Sequence, residues 1–559
     1  MKHLSPEIRV PIELDNPAIR RIESLCIHCG QCRDVCRDVI SVGNHYDLLK
    51  TNDTAICIHC GQCVQVCPTD ALTEQKEAYL VKKAIMDPSK KVIFMTSPSV
   101  RVALGEPFGK KAGAYVEEQM VAALRKLGAD YVFDTTFAAD LTIMEEASEL
   151  IERITNHKPL PQFTSCCPAW VKFVETYYPQ YLPNISSSKS PISMFGPTIK
   201  SYFAQQESID PASIITVALT PCTAKKFEVR RLELQDALPD HPDTDYVVTT
   251  KELADWMKME NLDIDMLEPS KYDSLMPRGS GAGIIFGNSG GVMEAAVRTA
   301  YYMLTGENPP QDLLTYKPLR GLDGVKICDV TIRDLTLHLA VVSGTDHARQ
   351  FIDQMEKSDK QYHFVEVMTC PGGCISGGGQ PKHLQEDMNT VRKERMDGLY
   401  QMDEKMTLRF SHENPEIIRL YEAFYGKPLS KPAEKMLHTY YQDRSDILGE
   451  DPAVYQTDYQ KEPKAEAASC VKWKCTICGY IYEGDLNQES DDYQCPICFA
   501  SKAMFEPMEE KSESNAAPSE AVRYKCTVCG YIYEGDITQE PDDYTCPICT
   551  VPKALFEKI

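Results

Sequence analysis

Residues 366–381 read Glu366-Val-Met-Thr-Cys-Pro-Gly-Gly-Cys-Ile-Ser-Gly-Gly-Gly-Gln-Pro381, placing Cys370 and Cys374 in a CxxxC spacing among five glycines. Only glycine lets backbone wrap closely around an inorganic centre, so the run reads as a cluster-ligand loop. Two more segments complete a constellation: Thr164-Ser-Cys-Cys-Pro-Ala-Trp170 and Thr220-Pro-Cys-Thr-Ala-Lys-Lys-Phe-Glu228. Working outward, short apolar runs at Val92–Met95, Tyr131–Phe133, Ile214–Leu219, Tyr246–Thr249, Ile284–Phe286 and Phe364–Met368 read as strands. Helical patterns such as Leu141–Ile154 and Gly291–Leu304 lie between them. Strands alternating with helices predict an α/β domain with largely parallel sheets. Cys222 and Cys370 closely follow two of these runs. Ligands of open α/β sheets sit outside the carboxyl ends of strands, so these cysteines are expected to converge.

The chain has 559 residues, 59 basic and 82 acidic side chains, a net charge of −23, and 23 cysteines. Its length allows several domains and a large core. So acidic a balance argues against nucleic acid or an anionic membrane as partner. The cysteines fall in CxxC and CxxxC clusters typical of metal thiolates, not in the pattern of a disulfide framework. No apolar run reaches the ~18 residues needed to span a bilayer, and the first residues lack a secretory h-region. A reducing cytoplasm is the expected compartment.

Two further duplications organise the ends. Residues 26–36 read Cys-Ile-His-Cys-Gly-Gln-Cys-Arg-Asp-Val-Cys, and 57–68 read Cys-Ile-His-Cys-Gly-Gln-Cys-Val-Gln-Val-Cys-Pro. This is the bacterial ferredoxin pattern twice, in which the fourth cysteine binds the other cluster. The expected ligand sets are Cys26, Cys29, Cys32 and Cys67 for one 4Fe–4S cluster, and Cys57, Cys60, Cys63 and Cys36 for the second. The proline after the fourth cysteine is present as Pro68 and replaced by Arg37 in the first copy. His28 and His59 read as packing residues or as residues that support the ligands, not as ligands themselves. At the other end, Lys474-Cys-Thr-Ile-Cys-Gly-Tyr-Ile-Tyr-Glu-Gly-Asp485 recurs as Lys525-Cys-Thr-Val-Cys-Gly-Tyr-Ile-Tyr-Glu-Gly-Asp536, each followed by Cys-Pro-Ile-Cys. Cys475, Cys478, Cys495 and Cys498, and again Cys526, Cys529, Cys546 and Cys549, make S4 sets suited to iron or zinc. The Gly-Tyr-x-Tyr-Glu-Gly run resembles rubredoxin, which favours iron. Modules so small and β-rich depend on the metal for stability. Cys328 reads as a small buried hydrophobe and Cys470 as a linker thiol.

The three catalytic segments together resemble the signatures of FeFe hydrogenases, in similar order and spacing, over residues 1 to about 435. That resemblance implies that Cys167, Cys222, Cys370 and Cys374 hold a 4Fe–4S cluster. It implies that Cys374 also bridges to a two-iron subsite carrying carbon monoxide, cyanide and an azadithiolate, the assembly called the H-cluster. Lys225 would donate to a cyanide ligand, while Met368 and the Ser97-Pro98-Ser99 backbone pack around the diiron ligands. Cys166 would deliver protons, with Glu146, Glu149, Arg153 and Ser186 as further members of the proton path; 146, 149 and 153 share one helix face. Two departures are Thr220 where the most-studied members have Met, and Ile192 where they have Gln.

The domains expected are a two-cluster ferredoxin-like module (1–90), a catalytic domain (91–381), a helical wrap resembling the family's small subunit (382–435), a linker (436–470), a rubredoxin-like module (471–508), a linker (509–521) and a second such module (522–559). The function implied is interconversion of protons plus electrons with hydrogen in an anaerobic cytoplasm. The alternative is a hydrogen sensor of low turnover, against which the intact Cys166 argues. Expected partners are a soluble electron carrier such as ferredoxin, maturation enzymes for the diiron unit, and a rubredoxin-dependent oxygen or peroxide reductase.

Overall fold

The computed structural model describes residues 9–276, 278–385 and 387–449, together with 472–476, 481–483, 501–508, 523–526, 532–534, 537 and 552–558. The chain divides into two compact units, Met1–Tyr459 and Gln460–Ile559. In the first unit two four-stranded sheets carry the catalytic region. One runs in the order Tyr131–Asp134, Lys91–Thr96, Ile214–Thr220, Tyr246–Thr249, with every pair parallel. The other runs Gln162–Phe163, Phe364–Met368, Leu335–Ser343, Val325–Ile332. Its first two pairs are parallel, and the last is an antiparallel hairpin.

Alternation along the strands explains why the central parallel strands of both sheets are buried on both faces. In the strand Lys91–Thr96, Ile93 and Met95 join a core with Phe133, Phe195 and Phe203, while Val92 and Phe94 point into the opposite core with Met120, Leu124 and Trp256. In the second sheet Val365 and Val367 pack with Trp170 and Phe173, and Phe364 and Met368 with Val292 and Ala296. Parallel strands covered by helices on each side take this near-continuous apolar composition.

The helices Met388–Lys405, Pro415–Leu420 and Lys431–Leu437 wrap this body through buried polar contacts. Arg298 and Asp403 pair at 2.8 Å, and Arg395 and Glu106 at 2.6 Å. Asp140 accepts from Ser411 and Asn414, and Tyr421 donates to Glu145. Removing one partner of such a pair strands a buried charge, at about 3–5 kcal/mol.

Three expectations change. Ile284–Phe286 is not a strand: Gly281–Ile284 is helical and Ile285–Gly287 a 3-10 turn. Three apolar residues carry too little periodicity to separate the two. Glycine permits the packing there, since a Cβ on Gly283 would meet the Thr136 carbonyl at 2.5 Å. The stretch from 436 to 449, read as linker, is packed: Tyr441 donates to the Ser186 carbonyl and Arg444 to Glu175. Cys328 is half-buried on the hairpin, not part of an enclosed core.

In the second unit the duplication appears as two three-stranded antiparallel sheets of the same order. They are Ile481–Glu483, Lys472–Cys475, Phe505–Met508 and Ile532–Glu534, Arg523–Cys526, Phe556–Lys558. Cys475 and Cys526 end equivalent strands. Cys470, Cys478, Cys495, Cys498, Cys529, Cys546 and Cys549 lie outside the described residues.

Candidate active site

The carboxyl ends of both sheets open on one shared cavity. From the first sheet, Ser97, Pro98 and Ser99 follow one strand, Thr135 another, and Pro221 and Cys222 a third. From the second come Cys166 and Cys167 after Phe163, and Thr369, Cys370 and Cys374 after Met368. Lys225, Met368, Ile192 and Thr220 also line the wall, so both departures from the resembled pattern face the same space. Crossing two sheets' ends assembles side chains far apart in sequence, as the strand-end rule requires.

The donor set suits an iron–sulfur centre. Burial first, then neighbouring thiols, raises Cys370 well above the ordinary thiol value, raises Cys374 as well, and pushes Cys222 up to about 12. Thiols so placed become thiolates readily only against a bound cation, which is what a cluster provides. Cys167 is the N-cap of the helix Pro168–Tyr177, whose first position is a proline, where the missing N–H leaves no bond unmade. Glycines let the ligand loop pack directly against neighbouring backbone. Gly373 has φ +101°, and a Cβ on it would meet the Ser289 nitrogen at 2.5 Å; one on Gly377 would meet the Pro221 carbonyl at 2.4 Å. Ser99 Oγ is buried in the wall without a hydrogen-bond partner among the described residues.

Lys225 Nζ donates to the Cys166 carbonyl at 3.2 Å and pairs with Glu228 at 2.7 Å. Burial would lower its pKa, but the Glu228 and Cys222 charges outweigh it and hold the ammonium above its usual value. Cys166 is raised by burial, then by Glu146. Glu146, Glu149 and Arg153 lie on the helix Thr135–Thr155. Neither carboxylate oxygen of Glu146 has a hydrogen-bond partner among the described residues, and burial, then Glu149 and Glu366, holds its carboxyl well above the usual range. Ser186 Oγ donates to Glu149 at 2.6 Å, and Arg153 donates twice to the same carboxylate, at 3.0 and 2.7 Å. Arg153 is fixed in turn by the carbonyls of Pro159, Pro183 and Ile185.

The amino-terminal cysteines gather in two separate cavities. Cys26, Cys29, Cys32 and Cys67 line one, and Cys36, Cys57, Cys60 and Cys63 the other. Cys60 also reaches the large cavity. His59 is buried; its ring contacts Lys172 Nζ at 2.8 Å and lies tilted by 34° against Phe227, with ring centroids 4.7 Å apart. Sequence reasoning passed over Thr369, Thr135, Phe286 and Gln62, all of which lie at or beside the large cavity. Thr369 directly follows the expected strand Phe364–Met368 and Thr135 comes two residues after the expected strand Tyr131–Phe133, which is the signal that finds them.

Comparison with known proteins places this geometry in a family. The model of the iron only hydrogenase large subunit, C-terminal domain, matches residues 90–378, and that of the iron hydrogenase small subunit matches 389–444. A 4Fe-4S binding domain matches 51–73, and the rubrerythrin, rubredoxin-like domain matches 473–506 and 524–557. Iron hydrogenase 1 of Clostridium pasteurianum is 41% identical over 431 residues, 74% of each chain. The periplasmic Fe hydrogenase large subunit of Nitratidesulfovibrio vulgaris is 46% identical over 303 residues, 54% of this chain and 71% of that one. Among solved structures, an apo FeFe hydrogenase of Chlamydomonas reinhardtii superposes with a TM-score of 0.59 at 38% identity, covering 66% of this chain and 99% of that one.

Proposed function

Because this chain belongs to the iron-only, or FeFe, hydrogenase family and is an iron–sulfur hydrogenase, we propose that it interconverts protons plus electrons with molecular hydrogen at the cavity between the two sheets. One observation carries the reading: Cys167, Cys222, Cys370 and Cys374 meet around a single buried space that Cys166 and Lys225 also line. Those four cysteines would hold a 4Fe–4S cluster bridged through Cys374 to a two-iron subsite, which supplies the centre where hydrogen is made or split. Ser99 and Lys225 offer donors to its ligands, and Met368, Pro98 and Ile192 exclude water from it.

Protons are moved by the protein's own groups. The Cys166 thiol gives and accepts a proton at the cavity wall, Glu146 exchanges with it, and Ser186, Glu149 and Arg153 continue the line. The hydrogen bonds joining the last three support this order. A carboxyl held above its ordinary value by burial is suited to carry a proton at neutral pH. An intact Cys166 beside Glu146 favours an enzyme over a hydrogen sensor.

Electrons pass through two 4Fe–4S clusters, one on Cys26, Cys29, Cys32 and Cys67 and one on Cys57, Cys60, Cys63 and Cys36. The two four-cysteine cavities support the assignment. A soluble carrier such as ferredoxin exchanges electrons with the more exposed of them, where Cys29 reaches the surface. The rubredoxin-like modules hold iron and accept electrons derived from hydrogen for a rubredoxin-dependent acceptor. Among the described residues no helix is long and apolar enough to cross a membrane. The test is a hydrogen assay on protein co-expressed with the maturation enzymes that build the diiron unit. Wild type should evolve and oxidise hydrogen with a reduced or oxidised dye, while Cys374→Ala should do neither; activity in Cys374→Ala would refute the ligand assignment.

A further inference from the structure

The two ferredoxin-type loops share the heptapeptide Cys-Ile-His-Cys-Gly-Gln-Cys, but their glutamines do different things. Gln31 is exposed, whereas Gln62 is 5% exposed and lies against the catalytic loop. Its amide Nε2 donates to Cys370 Sγ at 3.2 Å and to the Ser376 carbonyl at 2.8 Å. An amide nitrogen has two donors, so both are used. In the loaded protein the sulfur is a cluster-bound thiolate, a better acceptor than the thiol that stands here.

Several contacts fix the geometry. Gly61 has φ +70°, and a Cβ on it would meet Thr223 Oγ1 at 2.4 Å and the Gly378 Cα at 2.9 Å. A Cβ on Gly378 would meet the Cys60 carbonyl at 2.6 Å. The loops therefore touch backbone to backbone, and only glycine on each side allows it. Thr223, next to Cys222, donates to the His59 carbonyl at 2.7 Å, and Gln65 donates to the carbonyls of Gly378 and Gln380. Gln62 is thus held at one distance from Cys370.

We propose that Gln62 is a positioning residue of the catalytic centre, whose side-chain amide sets the reduction potential of the cluster on Cys370 by donating to that thiolate. The proposal rests on the hydrogenase reading. Hydrogen bonds to cluster sulfurs stabilise the more negative, reduced form, so this donor raises the potential. It also links the ligand loop of the neighbouring 4Fe–4S cluster to a ligand of the catalytic one, so their potentials are adjusted by a shared contact.

The test is an EPR-monitored redox titration of the matured full chain. Gln62→Met keeps length and shape but removes the donor, and Gln62→Glu replaces it with a group that does not donate when ionised. Both should lower the potential of the catalytic 4Fe–4S cluster. Gln62→Met should shift its reduction equilibrium by up to roughly fivefold, about 40 mV for one electron. Gln31→Met should leave every potential in place. An unchanged catalytic potential in iron-replete Gln62→Met would overturn the proposal, because a merely structural glutamine moves stability and not potential. If the variants do not fold, wild-type protein labelled with nitrogen-15 only at glutamine side-chain amides should show a nitrogen hyperfine coupling to the catalytic cluster; no such coupling would likewise overturn it. A wild-type chain with no catalytic 4Fe–4S signal would instead refute the hydrogenase reading, and this proposal with it.

Discussion

The two copies of Cys-Ile-His-Cys-Gly-Gln-Cys, at 26–32 and 57–63, have the same letters and opposite surroundings. In the first, His28, Cys29 and Gln31 are exposed; in the second, His59 and Gln62 are 4% and 5% exposed. His59 bonds to Lys172, on the helix that starts beside Cys167, and Gln62 bonds to Cys370. In both copies the glycine takes positive φ, +79° at Gly30 and +70° at Gly61, so the local backbone is the same. The motif therefore specifies a ligand turn and nothing about its neighbours. The catalytic domain, by covering one copy, turns repeated residues into parts of a junction and leaves the other copy facing solvent. Burial, more than residue type, assigns the roles.

If that is right, changes at buried members should be large and changes at exposed counterparts nearly silent. The largest effect is expected at Cys166. Cys166→Ala removes a proton carrier but no cluster ligand, so turnover should fall roughly 10²–10⁴-fold with the iron content and infrared bands intact. Loss of those bands would show that Cys166 is structural. Glu146→Gln should follow, slowing turnover while leaving the spectra in place. Its stability signature has a definite sign. A buried carboxyl with a raised pKa is stable when protonated, so wild-type stability is full below the ordinary value near 4.3 and falls as pH rises from there toward the folded value. Glu146→Gln should lack that fall in urea titrations across pH; an identical fall would place the cause elsewhere.

A direct trial of the comparison pairs His59→Ala with His28→Ala. The former removes a buried ring from Phe227 and a partner from Lys172, and should cost about 1–3 kcal/mol in chemical denaturation. The latter should stay within about 0.5 kcal/mol. Equal costs would break the argument from burial. The smallest effect is expected from truncation near residue 460, which should leave hydrogen oxidation with a small dye unchanged. It should abolish the hydrogen-dependent bleaching of ferric S4 iron and impair delivery to a rubredoxin-dependent acceptor. A colourless, zinc-loaded segment from iron-replete cells would end the electron-outlet proposal.

Much of this was legible in the sequence because cluster chemistry is written in cysteine spacing. Five of six apolar runs read as strands are strands, and two of them deliver Cys222 and Cys370 to the cavity. The hairpin Val325–Ile332 with Leu335–Ser343 was missed: Leu335, Leu337 and Leu339 alternate with Thr336 and His338 in its second strand, but exposed Val325 and Ile327 flank buried Lys326 in its first and break the pattern. The start of the supposed linker was missed for another reason. Residues such as His438, Tyr441 and Arg444 look like a polar tail until Glu145, Ser186 and Glu175 receive them. Gln62 was beyond reach in principle, because its duplicate is identical in sequence and differs only in what folds against it.

The central claim is that the cavity at the two sheets' ends holds a diiron unit anchored through Cys374. Infrared spectroscopy of the matured full chain tests it most directly. The account predicts stretches of metal-bound carbon monoxide and cyanide that vanish in Cys374→Ala. A wild-type protein fully loaded with iron but lacking those bands would contradict it.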